Sequence, residues 1–166
     1  MAIKTTQGYS RTQIILHWVV FVLVALQFIG HEAMIRVYRP EEGVPLAGSD
    51  PLMAQLHVIG GAAIFLFAAW RIYLKVTRGA PELPEKEPAA LKLVANGTHI
   101  VLYLLVLGMP ISGAAAWFGQ IELAAAGHSF ARIVLLLLVL LHVVGALAQH
   151  FWFRTDVMRR MVKAQS

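Results

Sequence analysis

The stretch Gly127-His128-Ser129-Phe130-Ala131-Arg132, then the apolar run from Ile133 to Leu141, then His142-Val143-Val144-Gly145-Ala146-Leu147-Ala148-Gln149-His150, decides the fold. Its long aliphatic centre reads as a helix that crosses a bilayer, whose ~30 Å core takes about 20 residues. His128 and His142 stand fourteen residues apart. On an α-helix that is about 1400° of turn and about 21 Å of rise, so the two share one face to within roughly 40°. They are too far apart for one metal ion and well placed for two separate groups, one in each half of a membrane.

Working outward, three more stretches are long and apolar enough to span. Numbered by their approximate limits, the four are 12–34, 52–76, 89–118 and 128–153. With 58% hydrophobic and 14% charged residues in a chain of 166, the composition does not suit a soluble domain. It predicts an all-α, integral membrane four-helix bundle, a single domain over residues 1–166. The first stretch follows Lys4 and Arg11, but it is too long for a secretory signal and lacks a small-residue cleavage site, so it is expected to remain as a helix. The chain has no cysteine, which removes disulfides, iron–sulfur clusters, thiolate ligands and covalent haem attachment. Redox work would have to run through histidine.

A net charge of +5 would suit nucleic acid only if it were gathered on one soluble face, and it is not. With the amino terminus inside, Lys4, Arg11, Arg71, Lys75, Arg78, Lys86, Lys92, Arg154, Arg159, Arg160 and Lys163 fall on the cytoplasmic side, and Arg36, Arg39 and Arg132 outside. This positive-inside bias predicts both termini in the cytoplasm. It also predicts contact with anionic lipid, to which the basic and apolar stretch 155–163 would lie parallel, and no nucleic-acid partner.

Along the chain, Ser10 or Thr12 can cap the first helix. His17 follows, about 9 Å past Arg11, where an ionisable side chain on a lipid-immersed helix points to function rather than packing. The first outer loop, 36–50, contains Pro40, Gly43, Pro45 and Gly48 and reads as irregular. Its Arg36 and Arg39, with Arg132, could draw a small anionic donor or merely be solvated. His57 sits about 10 Å into the second helix. The adjacent Gly60 and Gly61 would serve close helix packing or clearance for a flat cofactor, and both readings can hold. The linker 75–87, with Pro81 and Pro84, reads as exposed. The third helix passes His99, expected to donate a hydrogen bond, for instance to a cofactor carboxylate, and is expected to bend near Gly108-Met109-Pro110.

Paired as His57 with His128 and His17 with His142, the histidines would hold two flat, axially ligated groups one above the other. Haem b fits this better than zinc, whose ligands converge on one point. His150 rivals His142 as the partner of His17: His142 shares the face of His128 but lies about 18 Å from Arg154, so it matches His17 in depth only if the fourth helix protrudes. Near the inner interface, His150 could instead meet a quinone head group or anchor the helix end through water.

Tyr9-Ser10-Arg11, Leu16-His17-Trp18, Leu56-His57-Val58, Arg71, His99-Ile100-Val101-Leu102-Tyr103, Pro110-Ile111-Ser112-Gly113, Leu141-His142, Ala148, His150-Phe151, Asp156, Arg160 and Met161, in this order and spacing, resemble the bacterial cytochrome b561 group of small dihaem membrane proteins. The resemblance covers nearly the whole chain. It implies that His17, His57, His128 and His142 are axial ligands to the iron of two b haems. It further implies electron transfer from an outer donor, superoxide in one member type, to ubiquinone. From that type this chain departs in a shorter connection between helices 3 and 4, and in Gln149, where the relative has a second histidine. A role as the cytochrome b membrane anchor of a partner redox protein is the alternative.

Overall fold

The computed structural model of the protein describes residues 5–6, 8–38, 51–82 and 88–164. Six helices lie among them: α1 (Arg11–Ile29), α2 (His31–Tyr38), α3 (Pro51–Arg78), α4 (Ala89–Gly119), α5 (Glu122–Phe151) and the single turn α6 (Val157–Arg160). Four of these, α1, α3, α4 and α5, are long and apolar enough to cross a membrane, so the predicted all-α four-span bundle is the architecture observed.

Local chemistry sets the helix limits. Ser10 caps α1 in a reciprocal box: its hydroxyl accepts from the Gln13 N–H, and its own N–H donates to Gln13 Oε1 at 2.9 Å, an arrangement worth about 1 kcal/mol. The expected helix 12–34 is corrected here, because α1 stops at Ile29. Gly30 closes it, its N–H donating to the Leu26 carbonyl at 2.9 Å, and the chain restarts as the short amphipathic α2 with Glu32 in its favourable first turn. Residues 31–38, partly assigned to an irregular loop by the sequence, are therefore helical. Arg39 and the rest of that loop, 39–50, lie outside the described residues, as does the side chain of Arg36.

The fourth span also departs from expectation, starting at Glu122 instead of 128. Only Gln120, in the left-handed region with φ 51°, and Ile121 separate it from α4. Leu123-Ala124-Ala125-Ala126 are strong helix formers, and Glu122 complements the helix dipole. With 30 residues, α5 is about 45 Å long and outreaches a ~30 Å hydrocarbon core. Pro110 lies inside an α4 that remains one helix.

Close backbone packing joins α1 to α3, α3 to α4 and α4 to α5. Much of the remaining apolar surface faces outward, including Leu66, Leu104, Phe130 and Leu137, as lipid-facing helices require. The best-buried cluster is Val20, Val24, Ile64 and Leu135. Val24 follows His17 by seven residues, Ile64 follows His57 by seven, and Leu135 is seven from both His128 and His142. Seven residues are about 10 Å of helix, so this apolar layer sits midway between two levels of histidine.

The termini of the bundle meet on one face. Thr5–Thr6 (β1) pair in parallel with Ala80–Pro81 (β2), and Gln13 Nε2 donates to the Gly79 carbonyl at 2.9 Å. Trp18 Nε1 donates to the Met161 carbonyl at 2.9 Å, and Arg160 donates to the Glu82 carbonyl at 2.8 Å while pairing with Asp156. Part of the 75–87 linker is thus ordered by the N-terminal arm and the C-terminal segment.

Candidate functional site: two pairs of histidines

The structure brings four of the seven histidines together as two pairs. Away from the terminal face, the rings of His57 (α3) and His128 (α5) have centres 6.3 Å apart at 65°. Nearer the terminal face, His17 (α1) and His142 (α5) are 6.2 Å apart at 61°. These separations carry chemical information. Metal–imidazole bonds of about 2.0–2.1 Å, plus about 1.1 Å from each nitrogen to its ring centre, put two imidazoles that face each other across one metal roughly 6.2–6.4 Å apart. Both pairs match. His99 (α4) stands only 5.2 Å from His142, too close for a metal between them, and a ring N–H of His99 bonds the Ala95 carbonyl. His150 lies against Phe151 on the exposed surface. The 6.2 Å separation puts His142 at the depth of His17, which removes the mismatch noted in the sequence.

The far pair borders a cavity of about 520 Å³ whose walls include Val24, Phe28, Gly61, Val106, Gly113 and Leu135. His128 is oriented by the proline-containing part of α4. Its Nδ1–H is shared between the Met109 carbonyl at 3.0 Å and Ser112 Oγ at 3.1 Å, while the Ser112 hydroxyl donates to the same carbonyl. A proton fixed on Nδ1 leaves the Nε2 lone pair for a metal, the usual way a ligating histidine is preset. Gly113 lets the ring approach, since a Cβ there would come within 3.2 Å of it.

Gly60 and Gly61 divide the two functions weighed for them. A Cβ on Gly60 would run into the Gln27 amide, whose Nε2 donates to the His57 carbonyl at 3.1 Å, whereas Gly61 borders the cavity. Buried without a partner among the described residues are His57 Nδ1, Gln27 Oε1 and Arg132 Nε. His31 and Arg132 also line this cavity. Burial first, then the Arg132 charge, holds the His31 imidazole below its usual range, with Glu32 offsetting part of the effect.

The pair near the terminal face is crowded by polar groups. Arg71 Nη2 donates to His17 Nδ1 at 2.9 Å. The Arg71 guanidinium and the Lys75 ammonium lie 5.6 and 5.2 Å from the centre of the Tyr103 ring. Tyr9 is half-buried beside them, and loss of solvent pushes its phenol above the ordinary range.

The chain that carries these two histidine pairs has relatives among known proteins. The model of the family described as prokaryotic cytochrome b561 matches residues 8–164. The chain belongs to that family. It is 35% identical over 157 residues to Cytochrome b562 of Cereibacter sphaeroides, covering 94% of this chain and 96% of the relative. A 175-residue alignment with a protein named Probable superoxide oxidase CybB, of Yersinia pestis, is 26% identical and covers 93% and 95%. Cytochrome b561 homolog 1 of Escherichia coli is 29% identical over 109 residues, 64% of this chain and 57% of the relative. As a b561-family cytochrome, the chain is a multi-pass bacterial membrane protein of the electron-transfer class, in contact with lipid, and its cofactor is b-type haem.

The sequence singled out all four paired histidines. It missed Gln27, Ser112 and the contact of Arg71 with His17. Gln27 carried a usable signal, being an uncharged polar side chain inside an apolar span; Ser112 stood in the Pro110-Ile111-Ser112-Gly113 stretch, which did not point to His128.

Proposed function

We propose that this cytochrome holds two b haems and passes electrons from a small donor at one membrane face to ubiquinone at the other. The observation that carries this reading is the pair of ring separations, 6.3 and 6.2 Å, at two depths of one bundle. His57 and His128 would hold one haem between α3 and α5, and His17 and His142 the second between α1 and α5. When bound, haem b supplies reversible one-electron chemistry at its iron.

The chain's own residues do the rest. Met109 and Ser112 fix the His128 ring, and Gly61 and Gly113 keep room beside it. Val20, Val24, Ile64 and Leu135 exclude water between the two levels. The basic terminal face, with Arg154, Arg159 and Arg160, is taken as cytoplasmic by the positive-inside rule, in a bacterial inner membrane. The far cavity then opens outward, where Arg132 favours a small anion. Superoxide is such an anion, and one relative is named for its oxidation. Two superoxide ions would each lose one electron to give dioxygen, and ubiquinone would take up two electrons and two protons to give the quinol. His150, exposed near the end of α5, would hydrogen-bond the quinone head group and hand it a proton.

A visible spectrum of the purified protein, oxidised and dithionite-reduced, with haem counted per chain, tests the reading: about two b haems are expected, the count for two bis-histidine sites. A count of one sinks it. Superoxide-driven reduction of the isolated protein supports the self-contained oxidoreductase. Failure to be reduced in that assay, together with co-purification of a stoichiometric redox partner, would favour the membrane-anchor role.

A further inference from the structure

Arg71 and Lys75 are spaced as neighbours on one face of α3, and both converge on the Tyr103 ring of α4. Among the described residues neither meets a carboxylate; the ion pair found there is Arg160 with Asp156. Arg71 is half-buried, seven residues from the end of its helix, about 10 Å of rise. A cation at that depth is costly unless an anion accompanies it, and an aromatic face compensates only in part.

The hydrogen bond to His17 sharpens the point. A guanidinium has donors only, so His17 Nδ1 accepts from Arg71 at 2.9 Å. A neutral imidazole that coordinates a metal through one nitrogen carries its proton on the other. Coordination through either nitrogen of His17 is therefore incompatible with the Arg71 bond. When His17 coordinates, Arg71 needs a different acceptor, within reach of its side chain and beside Lys75.

We propose that Arg71 and Lys75 form a two-cation clamp for the carboxylates of the cofactor seated between His17 and His142, the two propionates of a b haem. The inference rests on the two-haem reading and adds an anchoring site to it. Arg71 offers a planar fork suited to a carboxylate. Lys75 supplies a second charge one turn closer to the membrane surface. Tyr103 backs both. His99, beside His142, is near enough to the same group to contribute a further donor. The clamp also sets orientation: a haem held this way has its propionate edge toward the terminal face.

The test uses the full-length chain in a His57→Ala background, which leaves the His17–His142 site alone, titrated with haem b or with its dimethyl ester. The ester keeps the macrocycle and iron and loses both charges. The unmodified clamp is expected to prefer the free acid by about tenfold or more, the scale of lost charge-assisted hydrogen bonds. In R71Q/K75Q the preference falls towards one, and in K75Q and in R71K, which keeps the charge and loses the fork, it is intermediate. Equal binding of acid and ester with the clamp intact would overturn the proposal, as would a preference that survives in R71Q/K75Q. Loss of tightly bound lipid phosphate from R71Q/K75Q with that preference intact would likewise overturn it and assign the cations to a lipid headgroup. If the His57→Ala protein takes up neither haem nor ester while unmodified protein holds one haem, the two-haem reading fails and the clamp with it.

Discussion

The two histidine pairs share a spacing and differ in almost everything around them. The His57–His128 pair borders a roomy, apolar cavity, and His128 is held by a backbone carbonyl and a serine hydroxyl of α4. The His17–His142 pair sits nearer the terminal face, pressed by a third imidazole, two cations and two tyrosines. One helix serves both levels, since α5 presents His128 and His142 along a single stripe with Leu135 between them. The lesson is that a membrane bundle can repeat one ligand geometry while setting the electrostatics of each level separately. On the two-haem reading, the positive charge near the His17–His142 pair would favour the reduced form of its haem, whereas a carbonyl drawing on Nδ1–H would make His128 a stronger donor and favour the oxidised form at its level.

The largest expected effect breaks the comparison outright. His57→Ala or His128→Ala should each lower haem content from about two per chain to one, as should His17→Ala or His142→Ala, with a different half of the reduced spectrum lost in each case. Loss of a haem in His150→Ala but not in His142→Ala would show that the lower pair is wrongly drawn. Next in size is Gly113→Val. A Cβ at this position already comes within 3.2 Å of the His128 ring, and two added methyls must displace it. The far site should bind haem weakly or not at all, with the lower site's spectrum unchanged. Equal damage at both levels would mean that α4 tolerates no branching there for reasons unrelated to His128.

How far the sequence could go is visible in α5 itself. Helical periodicity reports face and depth along one helix, and that was enough to separate His128 from His142. It does not report which neighbour a face meets or how far a helix extends beyond the bilayer. The depth match of His17 and His142 therefore became visible only in the packed bundle, where their rings lie 6.2 Å apart. The end of α1 at Gly30 was hidden because apolar residues, Ala33, Met34 and Ile35, resume just past His31-Glu32. Ser112 and Arg71 act through groups brought near by packing, a carbonyl nineteen residues from His128 and an imidazole two helices away, and no local pattern encodes such partners.

Smaller effects refine the contrast. Ser112→Ala removes one acceptor from the His128 Nδ1–H and leaves the Met109 carbonyl in place. A net hydrogen bond of about 0.5–1.5 kcal/mol corresponds to a rise of roughly 20–60 mV for a one-electron couple. Redox titration should show that rise at the far haem only; a shift at both would argue against a local cause. The smallest structural change is expected from His150→Phe, which should leave both haems intact and slow quinone reduction at low quinone concentration. Unchanged turnover would return His150 to a purely interfacial role.

The layer of Val20, Val24, Ile64 and Leu135 has an electrical meaning as well. Fourteen residues of α5 separate its two histidines, about 21 Å, and that interval covers roughly two-thirds of a ~30 Å hydrocarbon core. On the two-haem reading, an electron moving between the levels crosses about two-thirds of the membrane field, worth roughly 1.5 kcal/mol per 100 mV. Such a step would shift the electron's distribution about tenfold per 100 mV. Because the intervening layer is dry and aliphatic, no proton follows the same path to cancel that charge, so the protein would sense the energised state of its membrane while it works.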